Sequence, residues 1–593
     1  MAARVAEPAE NLFEMNKDDI ITVLENIARL LELKGENPFK VRAYTNAARA
    51  LETLSEPLEK LVGEDRLGSV DGLGKATSEK IATLVRDGKL GYYDQLADEF
   101  PPDILSLFEL QGLGAKKIKV LWDSLQVHSI TKLERACKSG KVAALPGFGE
   151  KTAANILQAI EHHSKHTGEF RIGDVAGLAE SLLEDLRGHP RVTHAQIAGS
   201  YRRKKEIVRD LDFIVSTRHP AEVSEFFATH PLVESVLARG ATKTSVILKS
   251  GIQCDLRVVT GAEYPFALVY FTGSKEHNVR IRSRALARGW SLNEYRFSGA
   301  EGRALKEPIP EIHEENEIYS ALGLDPVAPE LREDRGEIEA AEAHELPVLV
   351  EWQNLRGTFH NHTTESDGRA TLEDMAAAAR ELGLEYLGIA DHSKSSYQAH
   401  GLDENRLAAQ VEKIRELSSE SLHLFAGTEC DILKDGSLDF SDDVLASLDY
   451  VVASIHSSFT LSEAEMTKRI IRAISNPCVT MLGHLTGRLL LSRESYQVNI
   501  PAVIDAAADT GTIIELNANP RRLDMDWRWW PLAKEKGVRC SINPDAHSTA
   551  GFQDLVFGIG AARKGWLTKS DVINTRPLGQ VVPLLAAKRG RKN

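Results

Sequence analysis

Cysteine is scarce. Five stand in the 593-residue chain, at positions 137, 254, 430, 478 and 540, and none has CxxC spacing. That excludes a disulfide scaffold or a thiolate zinc finger, and a reducing cytoplasm is the expected compartment. No apolar run approaches the ~18–20 residues that span a bilayer, so no membrane partner is expected. The first eighteen residues carry four acids and no apolar stretch, which argues against a secretory signal. A surplus of positive charge is missing too, since the net charge is −14. Its distribution matters more than its sum. Residues 1–300 hold 41 basic and 40 acidic side chains, whereas residues 301–350 hold 4 and 14. The first half is therefore free to present a local basic surface to nucleic acid. The hydrophobic share of 42% excludes a largely disordered chain, and the length calls for several domains.

Residues 1–170 read as helical, with one pattern occurring three times: Val70-Asp71-Gly72-Leu73-Gly74-Lys75, Leu110-Gln111-Gly112-Leu113-Gly114-Ala115 and Leu145-Pro146-Gly147-Phe148-Gly149-Glu150. Paired glycines permit a tight turn, the apolar residue between them plugs the packing of the flanking helices, and free N–H groups at the next helix start can hold a phosphate oxygen. Each copy alone also fits a plain connector with glycine at a helix end. Together they resemble the helix-hairpin-helix motif, which grips the DNA backbone without reading sequence. The first copy leads into Lys80 and is preceded by Lys40-Val41-Arg42-Ala43-Tyr44. This region resembles the N-terminal lyase domain of polymerase beta relatives, where the position of Lys80 is the amine that forms a Schiff base with an abasic sugar. The alternative reading of Lys80 is a surface lysine touching phosphate.

Further on, Gly199-Ser200 precedes Arg203, then Asp210-Leu211-Asp212 and a lone Asp255 within an apolar alternation. On a strand, Asp210 and Asp212 point to one face, and carboxylates forced together there call for divalent cations. Gly199 and Ser200 allow backbone approach to a phosphate that Arg203 can neutralise. This layout resembles the nucleotidyltransferase palm. With Tyr270-Phe271-Thr272-Gly273-Ser274, Lys275, Asn278 and Arg282 added, nearly the whole chain resembles a bacterial family X DNA polymerase. The resemblance implies that Asp210, Asp212 and Asp255 bind Mg²⁺ for attack of a primer 3′-hydroxyl on an incoming nucleotide. It also implies that Tyr270, Phe271 and Gly273 wall the sugar site, that Lys275 and Asn278 face the nucleotide, and that Arg282 faces the template. One departure stands out: Gln253 replaces the arginine found in polymerase beta two positions before the third aspartate, which puts the proton path in doubt.

After residue 355, apolar runs alternate with helical stretches, and His, Asp or Glu recurs at the ends of the runs: His360, His362, Asp367, His392, Glu429, His456, His484, Asp545 and His547. In a parallel barrel such ends converge on one face. Nine N/O ligands exceed one ion and imply two or three metals. The pattern resembles the polymerase and histidinol phosphatase (PHP) domain. The resemblance implies one ion on His360, His362, Glu429 and Asp545, a second on Glu429, His456 and His484, and a third on Asp367, His392 and His547, with Mn²⁺ or Zn²⁺ in them.

The expected fold is multidomain: an α-helical helix-hairpin-helix region, an α+β nucleotidyltransferase palm and thumb, and a distorted (β/α)7 PHP barrel. The expected boundaries are a small helical domain at 1–95, two further hairpins at 96–170, the palm at 171–260, a nucleotide-selecting subdomain at 261–325, an acidic linker at 326–354 and the barrel at 355–593. DNA contacts are expected at Lys40, Tyr44, Gly72, Gly74, Lys75, Gly112, Gly114, Gly147 and Gly149. The resemblance implies a monomeric polymerase that fills gaps with deoxynucleotides in base excision repair. It further implies a 3′–5′ exonuclease, and 3′-phosphatase, abasic-site endonuclease and lyase activities. The rival readings are a palm that joins nucleotides to RNA or small molecules, and an inactive DNA-binding scaffold.

Overall fold

Apolar residues at helical spacing organise the first part of the chain. In the helix Lys17–Lys34, Ile20, Leu24, Ile27 and Leu31 form one buried stripe. The computed structural model describes residues 15–588 except 16, 53, 55–57, 71, 102, 111–112 and 166–167. Gly112 thus lies outside the described residues, as do Asp71 and Gln111. The chain divides into two compact units, Met1–Thr167 and Gly168–Asn593.

The first unit is helical, from Lys17–Lys34 to Gly149–Lys165. Its glycine turns are built as their sequence requires. Gly72 and Gly147 have φ of +84° and +83°, open to glycine without strain. Leu73, Leu113 and Phe148, the residues between the paired glycines, are buried in the helical core. Gly74 and Gly114 cap the helices Lys75–Asp87 and Ala115–Leu125 with no side-chain hydrogen bond; the Thr77 and Lys117 N–H groups donate back to the glycine carbonyls, which leaves the first two N–H groups of each helix open to a ligand.

The second unit begins with a five-stranded mixed sheet in the order Val192–Ile197, Asp210–Thr217, Gln253–Val259, Lys243–Leu248, Val233–Arg239. Asp210–Thr217 and Gln253–Val259 run parallel, and the other pairings are antiparallel. Helices Tyr264–Thr272 and Lys275–Ala287 follow.

Beyond these, seven parallel strand positions alternate with helices among the described residues. The strands are Gly357–Thr358, Tyr386–Ile389, His423–Ala426 continuing as Glu429–Asp431, Val452–Ser454, Met481–Leu482, Ile513–Asn517 and Cys540–Asn543. A parallel bridge from Asn361 to Ala546 joins the first strand to the last and closes the barrel. Phe359, Tyr386, Phe425 and Tyr450 fill its interior. No described helix is long and apolar enough to cross a membrane, and all five cysteines are buried and unpaired.

The expected linker at 326–354 is corrected. The segment carries the helix Glu337–Ala343, and Val327, Leu331, Ile338, Ala341 and Leu349 are buried in one core with Phe266 and Trp290. Several of its acids are paired inside the fold and do not form one solvated run. Glu337 Oε1 lies 2.7 Å from His277 Nδ1, both fully buried. Glu333 Oε1 lies 3.0 Å from Arg203 Nε.

Candidate active sites

Pairing of the two parallel palm strands sets Asp255 directly opposite Asp212. Burial, then the charges of Asp210 and Asp255, push the Asp212 carboxyl up to about 7. Asp210 is raised as well, by burial and then by Asp255. Asp255 is lowered: burial opposes its charge, but hydrogen bonds from Lys243, Ser245 and Gln253 outweigh it. Lys243 Nζ is 2.6 Å from Asp255 Oδ2, and Gln253 Nε2 donates to Oδ1 at 3.2 Å. The charge missing at position 253 is thus provided from the adjacent strand. Lys243 was not among the expected residues, because a lysine opening a strand carries no signal of its own. Three acids crowded on one patch, two of them still raised despite Lys243, Arg257 and Arg203 nearby, fit divalent cations.

Gly199 has φ of +62°, and a Cβ there would lie 2.5 Å from Asp212 Oδ2, so only glycine lets this loop come against the carboxylates. The Ser200 hydroxyl next to it is buried without a hydrogen-bond partner, a donor open to a phosphate oxygen. Arg203, expected to neutralise a phosphate, is engaged within the chain. Besides Glu333, it binds the Thr272 carbonyl through Nη1 at 2.5 Å. Gly273, with φ of +71°, ends the helix that carries Tyr270 and Phe271. Ser274 caps the next helix by accepting from the His277 N–H. Asn278 donates to the Tyr270 carbonyl at 2.7 Å and leaves its own Oδ1 buried and unpartnered. Tyr270, Asn278 and Arg282 line one small cavity, while Lys275 is exposed.

In the first unit, Lys80 Nζ lies 5.0 Å from the Tyr92 ring and 5.9 Å from the Tyr44 ring, and the two rings stack. Lys40 is exposed and pairs with Glu36. Lys75 is the exposed first residue of its helix.

At the barrel, all nine expected ligands gather at the C-terminal ends of the strands. Glu429, fully buried, is the hub. Its carboxylate lies 3.2 Å from His360 Nε2, 2.8 Å from His392 Nδ1, 3.2 Å from His456 Nε2 and 2.9 Å from His484 Nε2. Asp545 Oδ1 is 3.2 Å from His362 Nε2, and Asp367 Oδ1 is 3.5 Å from His392 Nε2 and 3.3 Å from His547 Nε2. Four groups of three or four have donor atoms mutually within 4.8 Å: His362 with Asp367, His392 and His547; His360 with His362 and Asp545; His360 with Glu429 and His484; and His392 with Glu429 and His456. The grouping is more shared than expected, since His392 joins Glu429 and His456 as well as Asp367 and His547.

The chemistry of the set fits metal. His360 Nε2, His362 Nε2 and Glu429 Oε2 are buried and make no hydrogen bond, the state of ligands awaiting a cation. Burial, then the neighbouring His547 and His392, lowers His362 to about 4, so its ring is neutral. Burial opposes the charge of Glu429, yet His456, His360 and His392 hold it well below the usual carboxylate range. Residues behind the ligands orient them. Glu515 Oε2 holds His360 Nδ1 at 2.5 Å, and Asp431 Oδ1 holds His456 Nδ1 at 2.5 Å. Asp391, fully buried, accepts from the Thr363 N–H and hydroxyl and anchors the loop that bears Asp367. Sequence reasoning missed Glu515 and Asp431, although both carry a readable signal. Glu515 is a lone acid inside Ile513-Ile514-Glu515-Leu516, and Asp431 shares a strand face with Glu429.

A mixed sheet with a carboxylate triad, set beside a parallel barrel with a nine-ligand cluster, defines a nucleotidyltransferase joined to a PHP-type domain. Family descriptions match accordingly: helix-hairpin-helix domain over residues 15–90, SAM-like helix-hairpin-helix tandem over 104–161, DNA polymerase beta thumb over 267–333 and PHP domain over 358–519. The chain is 40% identical over 575 residues to the DNA polymerase/3′-5′ exonuclease PolX of Bacillus subtilis (strain 168), covering 96% of this chain and 99% of that protein. It is also 22% identical over 333 residues to DNA polymerase lambda of Rattus norvegicus, covering 51% of this chain and 53% of the rat protein. It is 29% identical over 242 residues to a probable phosphatase of Thermoanaerobacter sp. (strain X514), covering 39% of this chain and 94% of that one. The chain belongs to the bacterial family X DNA polymerases that carry a C-terminal PHP domain, and it is an enzyme.

Proposed function

We propose that the chain fills short gaps in DNA during base excision repair and trims primer 3′ ends from its barrel. The observation that carries this reading is the presence, on one chain, of two separate metal-ready clusters: the Asp210/Asp212/Asp255 patch and the nine ligands around Glu429. Mg²⁺ would be held by the three aspartates, and two or three Mn²⁺ or Zn²⁺ ions by the barrel ligands. When bound, such ions supply positive charge that acidifies a primer hydroxyl or water and neutralises phosphate.

The chain's own residues do the rest. Lys243 and Gln253 keep Asp255 ionised and oriented. The Ser200 hydroxyl and the Gly199 loop receive the triphosphate of a deoxynucleotide, with Arg203 beside them. Tyr270 and Phe271 wall the sugar, Lys275 and Asn278 face the nucleotide, and Arg282 faces the template. At the barrel, Arg522 Nε lies 3.6 Å from Asp545 Oδ2 and its buried Nη1 has no hydrogen-bond partner, which suits a phosphodiester at the ligand cluster. The same site serves 3′-phosphatase and abasic-site endonuclease chemistry. Open amides at the first two positions after Gly74 and Gly114 give the helical unit its grip on backbone phosphate, including a 5′-phosphate at a gap, with Gly72, Lys75, Gly147, Gly149 and Lys40 along the same contacts. The enzyme works as a cytoplasmic monomer.

Single-nucleotide gaps test the reading. With Mg²⁺, a gap bearing a 5′-phosphate should be filled at least about fivefold more efficiently than the same gap without it, the scale of one charge-assisted phosphate contact. Equal rates would remove gap filling from the proposal.

Lys80 is assigned the lyase role because its ammonium lies against two aromatic rings with Tyr44 buried beneath, a site more enclosed than a free surface lysine. Borohydride should trap a covalent adduct with incised abasic DNA in the wild type and not in Lys80→Ala. Trapping in both would leave Lys80 as a phosphate contact.

A further inference from the structure

The barrel reaches into the polymerase site through one side chain. Lys564 ends the barrel helix Leu555–Lys564 and is 1% exposed. Its ammonium donates to Glu333 Oε1 at 2.5 Å and to the Arg203 carbonyl at 3.0 Å. Glu333 in turn holds Arg203 Nε at 3.0 Å, and Arg203 Nη1 donates to the Thr272 carbonyl just before Gly273. Packing fixes this junction. A Cβ on Gly560 would lie 3.1 Å from the Lys204 side chain, and the Trp527 ring covers the ammonium at 4.6 Å. One carboxylate, largely withdrawn from water, is therefore shared between Lys564 of the barrel and two palm cations, Arg203 and, at 4.0 Å, Lys205. Without Lys564, more of its charge would fall on Arg203 and hold that guanidinium in place, since charge-assisted hydrogen bonds strengthen as competing partners are removed.

We infer that Lys564 is a positioning residue for nucleotide binding: by taking part of the Glu333 charge, the barrel leaves Arg203 able to engage the incoming triphosphate. This rests on the reading above that Arg203 meets the triphosphate. It predicts that the two halves of the enzyme are coupled in one direction, with a barrel residue outside the nine ligands tuning nucleotide affinity and leaving 3′-end degradation alone.

Steady-state incorporation of one deoxynucleotide on a primer–template, with 3′-end degradation measured on the same preparations, tests it in the full chain. Lys564→Met should raise KM for the nucleotide about fivefold, with kcat within about twofold and degradation unchanged, the scale of one altered charge-assisted contact. Adding Glu333→Gln to that variant should bring KM down to that of Glu333→Gln alone, and Lys564→Arg should keep the wild-type KM. Glu333→Gln by itself should lower KM, and this arm stands even if Lys564→Met fails to fold. An unchanged KM in a folded Lys564→Met, no suppression by Glu333→Gln, or a KM that does not fall in Glu333→Gln alone would overturn the inference. Arg203→Gln separates the two readings. If its KM does not rise, the placement of Arg203 at the triphosphate fails; if it rises while the Lys564 and Glu333 results go against expectation, only the coupling fails.

Discussion

Replacing His360 and His362 together by alanine should reduce removal of nucleotides from a primer 3′ end more than about a hundredfold, since even residues that merely orient metal ligands typically cost 10–100-fold. The two rings belong to three of the four ligand groups, so their loss disrupts the cluster as a whole. Primer extension should stay within about twofold of wild type, because neither histidine touches the palm carboxylates and well-separated sites act independently. The cost falls on the barrel's stability. Glu515 and Glu429 each lose a buried partner 2.5 Å and 3.2 Å away, and stranding a buried charge destabilises by about 3–5 kcal/mol. Retained extension therefore doubles as the check that the chain is folded. Degradation at the wild-type rate would remove the nuclease from the barrel.

Asp212→Ala should have the reciprocal effect: primer extension lost by more than about a hundredfold, the scale of removing one preorganised electrostatic group from a transition state, with 3′-end degradation intact. Asp212 sits opposite Asp255 and two residues from Asp210, so it is the member in contact with both other acids. Its removal relieves repulsion that the cations near the metal-free patch, Lys243, Arg257 and Arg203, offset only in part. The thermal midpoint in metal-free buffer should accordingly hold or rise, which separates loss of chemistry from loss of fold. Extension equal to wild type would leave the palm as a scaffold.

Much of this was legible because its signals are local. The period of two in Asp210-Leu211-Asp212 places both acids on one face before any partner strand is known. Leu73, Leu113 and Phe148 read as plugs from the glycines on either side, and each is buried. The acidic stretch 326–354 misled for a definite reason. Composition does not distinguish a solvated acid from one matched by a distant partner. Glu337 finds His277 sixty residues away, and Glu333 finds Lys564 at a separation of 231. Gln253 posed the same problem in reverse, because the cation that replaces the arginine stands on the neighbouring strand.

By itself, the sequence determined which chemical groups exist and on which strand faces and strand ends they stand, since backbone geometry repeats every two residues and asks nothing of the rest of the chain. Only the tertiary structure decided how those groups combine. It made Glu429 the hub, put Glu515 and Asp431 behind His360 and His456, set Lys243 against Asp255 and joined the barrel to Arg203 through Lys564. The reason is electrostatic: a buried charge is tolerable only beside its complement, and that complement can come from anywhere the folded chain passes.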